Sequence, residues 1–485
     1  MTRIAWWEGV ADLETPVGAF LKLAHGQPNA FLLESIEGGS ARGRYSVIGM
    51  APDIIWRCRN GVAEINRVAL SAPHAFTPDN RKPLESLRAL IAESQLTVPP
   101  ELPPMAGGLT GYLGYDMVRQ MERLPEKNAD TLGLPEAIML RPTLFAIFDN
   151  VRDELFLAAP AYATPGQDAT AAFAAAQARV TAARAALARP LPQAAPPVAL
   201  PPQPEPSSNF SKAGFMAAVE HCRAYIAAGD VFQVVPSQRF SAPFALPPLS
   251  LYRALRRINP APFLFFLDFG GFSVVGSSPE ILVRLRGGKV TIRPLAGTRK
   301  RGATANEDAQ LEADLLADPK ERAEHLMLID LARHDVGRVA TLGSVQVTES
   351  FAVEKFSHVM HISSTVEGHL RDKLDAIDAL SAGFPAGTLS GAPKIRAMEI
   401  IEEVEPERRG LYAGCIGYFA PDGTMDTCIA LRTALVKDGT MHVQAGCGVV
   451  ADSVPEAEYE ETRQKARALF RAAEEAVRFA AGDPA

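Results

Sequence analysis

Arg293-Pro294-Leu295-Ala296-Gly297-Thr298-Arg299-Lys300-Arg301-Gly302 reads as a bend between a β-rich run and a charged helix, and everything else in the chain turns on it. Gly297 lets the backbone approach a bound group closely, and Thr298 offers an N–H and a hydroxyl to an anion. Ala296, beside them, offers no functional group. The plainer reading is an ordinary turn with basic residues in water, since Gly and Pro punctuate loops. Neighbouring segments decide between the two.

Downstream, Asp318-Pro319-Lys320-Glu321 supplies an N-cap, a proline at the first helical position and a Glu at the third. Glu321 and Glu324 then lie one turn apart on one face, with Met327, Leu328 and Leu331 in an apolar stripe beside them. Near the C-terminus, Ser453-Val454-Pro455-Glu456 reads as a capping box, and Glu461 and Lys465 form an i,i+4 pair adjoining Ala468 and Leu469. Solvated salt bridges explain such spacing as well as function does. Carboxylates on two helices can also hold Mg²⁺, which takes one or two carboxylates plus waters and an anionic substrate oxygen.

Two loops could complete such a site. Residues 387–394, Gly-Thr-Leu-Ser-Gly-Ala-Pro-Lys, lack the Walker spacing because Ala392-Pro393 separates Gly391 from Lys394. Glycine-flanked N–H groups there and at 444–449, with Arg432 expected in a strand, suit a carboxylate instead. A dicarboxylate with Mg²⁺ fits these parts.

The 485 residues exceed one modest core, so one large or two intimately packed domains are expected. A net charge of −7 provides no bulk attraction to nucleic acid or anionic membrane. Five cysteines without CxxC spacing argue against a zinc site or disulfide framework and fit a reducing cytosol. With no apolar leader and no run of 18 apolar residues, a soluble, cytoplasmic protein without nucleic-acid or membrane partners is expected. Residues 1–160 are strand-rich. Residues 161–209 pass from an Ala-rich helix to a tether with eight prolines between Pro190 and Pro206, and 210–485 alternate helices and strands.

Several long motifs, in order, resemble one family: GDVFQVVPS at 229–237, GSSPE at 276–280, RPLAGTRKRG at 293–302 and KERAEHLMLIDLARHDVGRV at 320–339. SHVMH at 357–361, FPAGTLSGAPKIRAMEII at 384–401 and QAGCGVVADSVPEAEYEET at 444–462 continue it. The chain is similar to the large, synthase subunits of anthranilate synthase, among the chorismate-utilising enzymes. The resemblance implies an α+β fold of two large, mainly antiparallel sheets packed face to face with helices outside. The 1–160 region would be an effector-binding region packed on a 210–485 chorismate-binding core.

It also implies the chemistry: ammonia adds at C2 of chorismate as the C4 hydroxyl leaves, and the aminated intermediate loses pyruvate. Glu280 would be the general acid and His361 would serve the elimination, with Gln233 and Thr388 also at the catalytic centre. Gly297, Thr298, Tyr412, Arg432, Gly446, Cys447, Gly448 and Lys465 would hold substrate, and Glu324 and Glu461 would hold Mg²⁺ with support from Glu321.

Aminodeoxychorismate synthases resemble this chain but carry a lysine where Ala296 stands, and isochorismate and salicylate synthases place a water-activating lysine where Gln233 stands. Neither Ala296 nor Gln233 can attack the ring or activate water, which leaves ammonia. The alternatives are an aminodeoxychorismate synthase, opposed by Ala296, and a silent tryptophan-binding regulatory subunit, opposed by the filled catalytic positions.

No cysteine sits in a nucleophile-elbow context, so the family's separate glutamine amidotransferase subunit would supply ammonia, giving a hetero-tetramer. Glu34, Ser35, Pro262, Phe263, Leu264 and Tyr418 match the family's feedback site for tryptophan, although Ala261 and Phe263 replace the commoner Ser and Tyr. His334 and Cys447 also depart from the family's usual Asn and Ala.

Overall fold

The computed structural model describes residues 3–37, 41–162, 168–192, 204–356 and 359–481. Most of the proline-rich tether (193–203) and Ser357 and His358 of the SHVMH motif lie outside the described residues. Among the described residues twenty-one strands are joined by hydrogen bonds into one continuous network, and the ribbon of Gln233–Val234 with Gly391–Ala392 stands apart from it.

Two long strands, Ala41–Arg59 and Ala137–Asp149, show how the network folds on itself. One face of each, including Val47, Ile55, Ile138, Leu140 and Ile147, packs into an interior shared with Tyr112, Phe265, Ile416 and Leu435 of other strands. Their opposite faces pack under helices. Ile48, Met50, Ala146 and Phe148 meet Pro16–Leu23, Ala169–Leu187, Pro248–Ile258 and Pro455–Ala480. Ile54, Trp56 and Met139 meet Pro83–Glu93, Pro319–Gly337 and Ala376–Gly383. The crossover between the two helix layers falls where Ala51 takes φ +50 and the pairing slips between Pro52 and Ile54. This is the α+β arrangement of facing antiparallel layers with helices outside that the resemblance implied.

The N-terminal region shares its sheets with the C-terminal one. Ala30–Glu37 pairs with Phe263–Asp268, and Leu109–Leu113 pairs with Cys415–Phe419.

Local expectations fared unevenly. Asp318 caps its helix as read, accepting the Lys320 and Glu321 N–H groups at 2.9 and 3.3 Å. The capping box at Ser453 does not form. Val454 is the N-cap of Pro455–Ala480, because the Ser453 hydroxyl is taken by the Val450 N–H in the preceding turn. Arg432 is not in a strand but in the bend before Thr433–Lys437, at φ +48. Residues 231–235, read from the sequence as a strand, pair only at Gln233–Val234.

Candidate active site

The opening stretch is a bulged strand, Leu295–Lys300. Its pairing with Val359–His369 runs Ala296↔Ile362 and then Arg299↔Met360, so Gly297 and Thr298 together oppose the single residue His361. Gly297 makes the bulge possible at φ +65, where a Cβ would also meet the Glu321 carboxylate at 3.0 Å. The bulge aims the Gly297 carbonyl at the His361 ring, with Nδ1 2.8 Å from that oxygen and 3.1 Å from Thr298 Oγ1.

A carbonyl can only accept, so Nδ1 carries the proton and Nε2 presents a lone pair. Nε2 is buried and has no hydrogen-bond partner among the described residues. Burial, with Arg432 and Lys465 nearby, pulls the imidazole down to about 4, which keeps it neutral. A neutral ring with a free Nε2 is a base.

Glu280 lies in the kink between the strands Phe272–Ser278 and Ile281–Arg286. It is 7% exposed, and burial pushes its carboxyl up to about 8. The Thr388 hydroxyl donates to Oε1 at 3.1 Å and, with Arg432, opposes that rise. The result is a protonated acid at neutral pH. Among the described residues the Arg432 side chain makes no hydrogen bond or ion pair, and its field falls on Glu280.

Carboxylates form the other wall. Helix Pro319–Gly337 brings Glu321 and Glu324, and helix Pro455–Ala480 brings Glu458, Glu461, Lys465 and Ala468 along one face at three- and four-residue spacing. Burial raises Glu324, and the like charges of Glu321 and Glu461 raise it further. Gln233 donates to Glu324 at 3.3 Å, and its own Oε1 is buried with no partner among the described residues. Lys465 Nζ bridges Glu461 at 2.7 Å and the Gly446 carbonyl at 2.9 Å. Gly448 clears the way for Gln233: a Cβ there would lie 2.6 Å from Nε2.

These groups line one cavity of about 720 Å³, together with Ala296, Thr298, Thr388, Tyr412, Gly446 and Gly448. Cys447 is the exception. It was expected against substrate, but its side chain packs among Phe215, Val231, Val234 and Val449, and burial holds its thiol well above the usual range. The backbone turn that exposes the flanking glycines to the cavity directs the residue between them inward. His334 is exposed and pairs with Asp330 at 3.5 Å, away from the cavity. Glu458, Gln444 and Lys320 also line it and were not singled out in the sequence. The i,i+3 spacing of Glu458 to Glu461 was the available signal.

The residues matched to the effector site lie elsewhere. Glu34 and Ser35 sit opposite Leu264 and Phe263 in register. Arg256 donates to both Glu34 oxygens at 2.8 and 2.9 Å, and Tyr252 donates to one of them. Ser35 Oγ donates to the Tyr45 carbonyl at 3.3 Å. Pro262 and Phe263 line a second cavity of about 910 Å³, walled by Arg284, Arg286 and Arg293, whereas Glu34, Ser35, Leu264 and Tyr418 do not line it. Tyr418 is half-buried beside Arg286 and Asp426.

No helix among the described residues is long and apolar enough to cross a membrane.

A family model described as chorismate binding enzyme matches residues 29–471. Anthranilate synthase component 1 of Cereibacter sphaeroides is 58% identical over 478 residues, covering 99% of this chain and 96% of that protein. The Thermus thermophilus protein of the same name is 47% identical, covering 96% of each chain. Among solved structures, anthranilate synthase component I of Streptococcus pneumoniae superimposes with a TM-score of 0.79 at 36% identity, covering 96% of this chain and 99% of that one. The menaquinone-specific isochorismate synthase of Escherichia coli, at 19% identity, shares the fold with a TM-score of 0.70, covering 98% and 94%. The chain belongs to the chorismate-binding enzyme family and, within it, to the anthranilate synthase component 1 proteins.

Proposed function

We propose that the chain converts chorismate and ammonia to anthranilate and pyruvate, as a Mg²⁺-dependent carbon–oxygen lyase. One observation carries this reading: three complementary groups, the raised, buried Glu280 carboxyl, the half-buried Arg432 guanidinium and the buried His361 Nε2, face a single cavity. Ammonia adds at C2 of the ring as the C4 hydroxyl departs, and Glu280 gives its proton to that hydroxyl so that it leaves as water. His361 Nε2 then takes the proton from C2 while the enolpyruvyl carbon–oxygen bond breaks and the ring becomes aromatic. The enolpyruvate released picks up a proton to become pyruvate. Arg432 clamps a substrate carboxylate, and the bulge at Gly297 and Thr298 presents backbone and hydroxyl groups to an oxyanion.

Ala296 carries no nucleophile, and the Gln233 amide is a poor base, so neither competes with ammonia at the ring. This speaks against the aminodeoxychorismate alternative.

Glu324 and Glu461 fit Mg²⁺ held partly by waters and a substrate carboxylate, since they are like-charged carboxylates on one cavity wall. Among the described residues no cluster of three or more His, Cys, Asp or Glu forms a protein-only cage. When bound, the ion would neutralise a ring carboxylate and favour departure of the leaving group.

A separate glutaminase subunit, assembled with this chain in a hetero-tetramer, would deliver the ammonia, and tryptophan would inhibit through the region of Glu34 and Ser35. Calorimetry with tryptophan on the wild type and Ser35→Phe tests the inhibitor. Binding to the wild type and not to the variant is expected, and equal binding removes Ser35 from the site. For the reaction itself, the purified chain with chorismate, Mg²⁺ and ammonium should produce anthranilate fluorescence. Accumulation of aminodeoxychorismate instead would refute the assignment.

A further inference from the structure

Behind the cavity lies an ion pair that touches no reacting atom in the scheme above. The Arg409 and Glu405 side chains are 1% and 2% exposed. Arg409 Nε lies 3.1 and 3.0 Å from the two Glu405 oxygens. Nη2 donates both to Glu405 Oε1 and to the Val235 carbonyl, each at 2.6 Å, and Nη1 donates to the Leu389 carbonyl at 2.7 Å. Glu405 Oε1 also accepts the Ser237 N–H and hydroxyl, each at 2.8 Å, and Gln444 Nε2 donates to that hydroxyl at 2.8 Å. Three residues that line the cavity, Val235, Leu389 and Gln444, thus hang from one buried pair. The guanidinium faces the Tyr115 and Tyr412 rings at 4.9 and 5.4 Å.

A pair this dry is a poor source of stability, because desolvation offsets most of its attraction. A planar fork that bonds two carbonyls from separate segments does fix their spacing. One of those segments matters directly: Leu389 follows Thr388, whose hydroxyl bonds the Glu280 carboxyl.

We propose that Arg409 is a positioning residue, which holds the 388–389 turn against the strand at Val235 so that Thr388 stays on Glu280. The inference rests on the role given to Glu280 under the proposed reaction. A lysine at 409 would keep a charge beside Glu405 but could not span both carbonyls.

Arg409→Lys is the decisive variant, compared with wild type using saturating ammonium and Mg²⁺. Its KM for chorismate should stay within about threefold while kcat falls by about 10- to 100-fold, the scale of a misplacement near 1 Å. Loosening Thr388 removes a bond that favours ionised Glu280, so the basic limb of the pH profile should move upward. The other groups that face that carboxyl, Arg432, Glu354 and the Leu295 backbone, are unchanged in the variant. Glu405→Leu with Arg409→Met removes the pair without stranding a charge and should show the same loss of kcat in a protein that still folds, with a lowered melting temperature because the Leu389 and Val235 carbonyls and the Ser237 N–H lose their partners. A kcat within twofold of wild type with an unmoved limb, in either variant, overturns the proposal. A wild type that forms no anthranilate would refute the reaction instead.

Discussion

The catalytic cavity and the Glu34 cluster both bury a glutamate, and they treat it in opposite ways. At Glu34 every carboxylate oxygen is met, by Arg256 on both and by Tyr252 on one. At Glu280 the Thr388 hydroxyl, the Leu295 backbone and the Arg432 charge do not offset burial, and the carboxyl rises to about 8. His361 Nε2 and Gln233 Oε1 in the same cavity have no hydrogen-bond partner among the described residues. A buried group with all its bonds made holds strands in place, whereas one with bonds missing is held ready for a ligand.

The comparison predicts that stability and activity separate between the two regions. The largest effect is expected at Glu280→Gln, which should cut kcat by about 10²- to 10⁴-fold while leaving the melting temperature at or above that of wild type. Loss of thermal stability with retained turnover would break the contrast. Ala296→Lys comes next: its side chain would crowd the ring beside the bulge, and anthranilate formation should drop by about 10²-fold. An unaffected rate would place Ala296 outside the reacting centre. Glu34→Ala should do the reverse of Glu280→Gln. It strands a partly buried Arg256 and should lower unfolding free energy by about 1–3 kcal/mol, read from denaturant melts, with the rate in the absence of tryptophan unchanged. Thr388→Val closes the series: it deletes the hydroxyl that Arg409 is proposed to hold on Glu280, so kcat should fall by about 10-fold, the low end of the range expected for Arg409→Lys. Without that hydroxyl the ionised Glu280 is less favoured, so its pKa and the basic limb of activity should rise by about one pH unit. A limb that stays put would show that Thr388 does not set the acid's pKa.

Much of this was legible in the chain because it is local. Asp318, Pro319 and Glu321 mark the helix start within four residues, and the Glu321–Glu324 spacing sets one face of it. The motif resemblance carried Glu280 and His361, which are otherwise a lone carboxylate and a lone imidazole. What stayed hidden depends on distant contacts or on backbone conformation. The tautomer of His361 follows from a bulge 64 residues earlier in the chain. Arg409 joins Val235 across 174 residues, and no spacing rule covers that distance. Cys447 was read with its glycine neighbours, but alternation around the loop turns it to the other side. Ser453 looked like a cap until a tighter turn claimed its hydroxyl.

The contrast between filled and unfilled buried groups is tested most directly by the pH profile of kcat/KM for chorismate in wild type and in the residual activity of Glu280→Gln. His361 lowered to about 4 is neutral and basic above that value, and Glu280 raised to about 8 is a proton donor below it. Wild type should therefore follow a bell with limbs near 4 and 8, and Glu280→Gln should keep the acidic limb and lose the basic one. A basic limb near 8 that survives in Glu280→Gln would contradict the assignment of Glu280 as the acid.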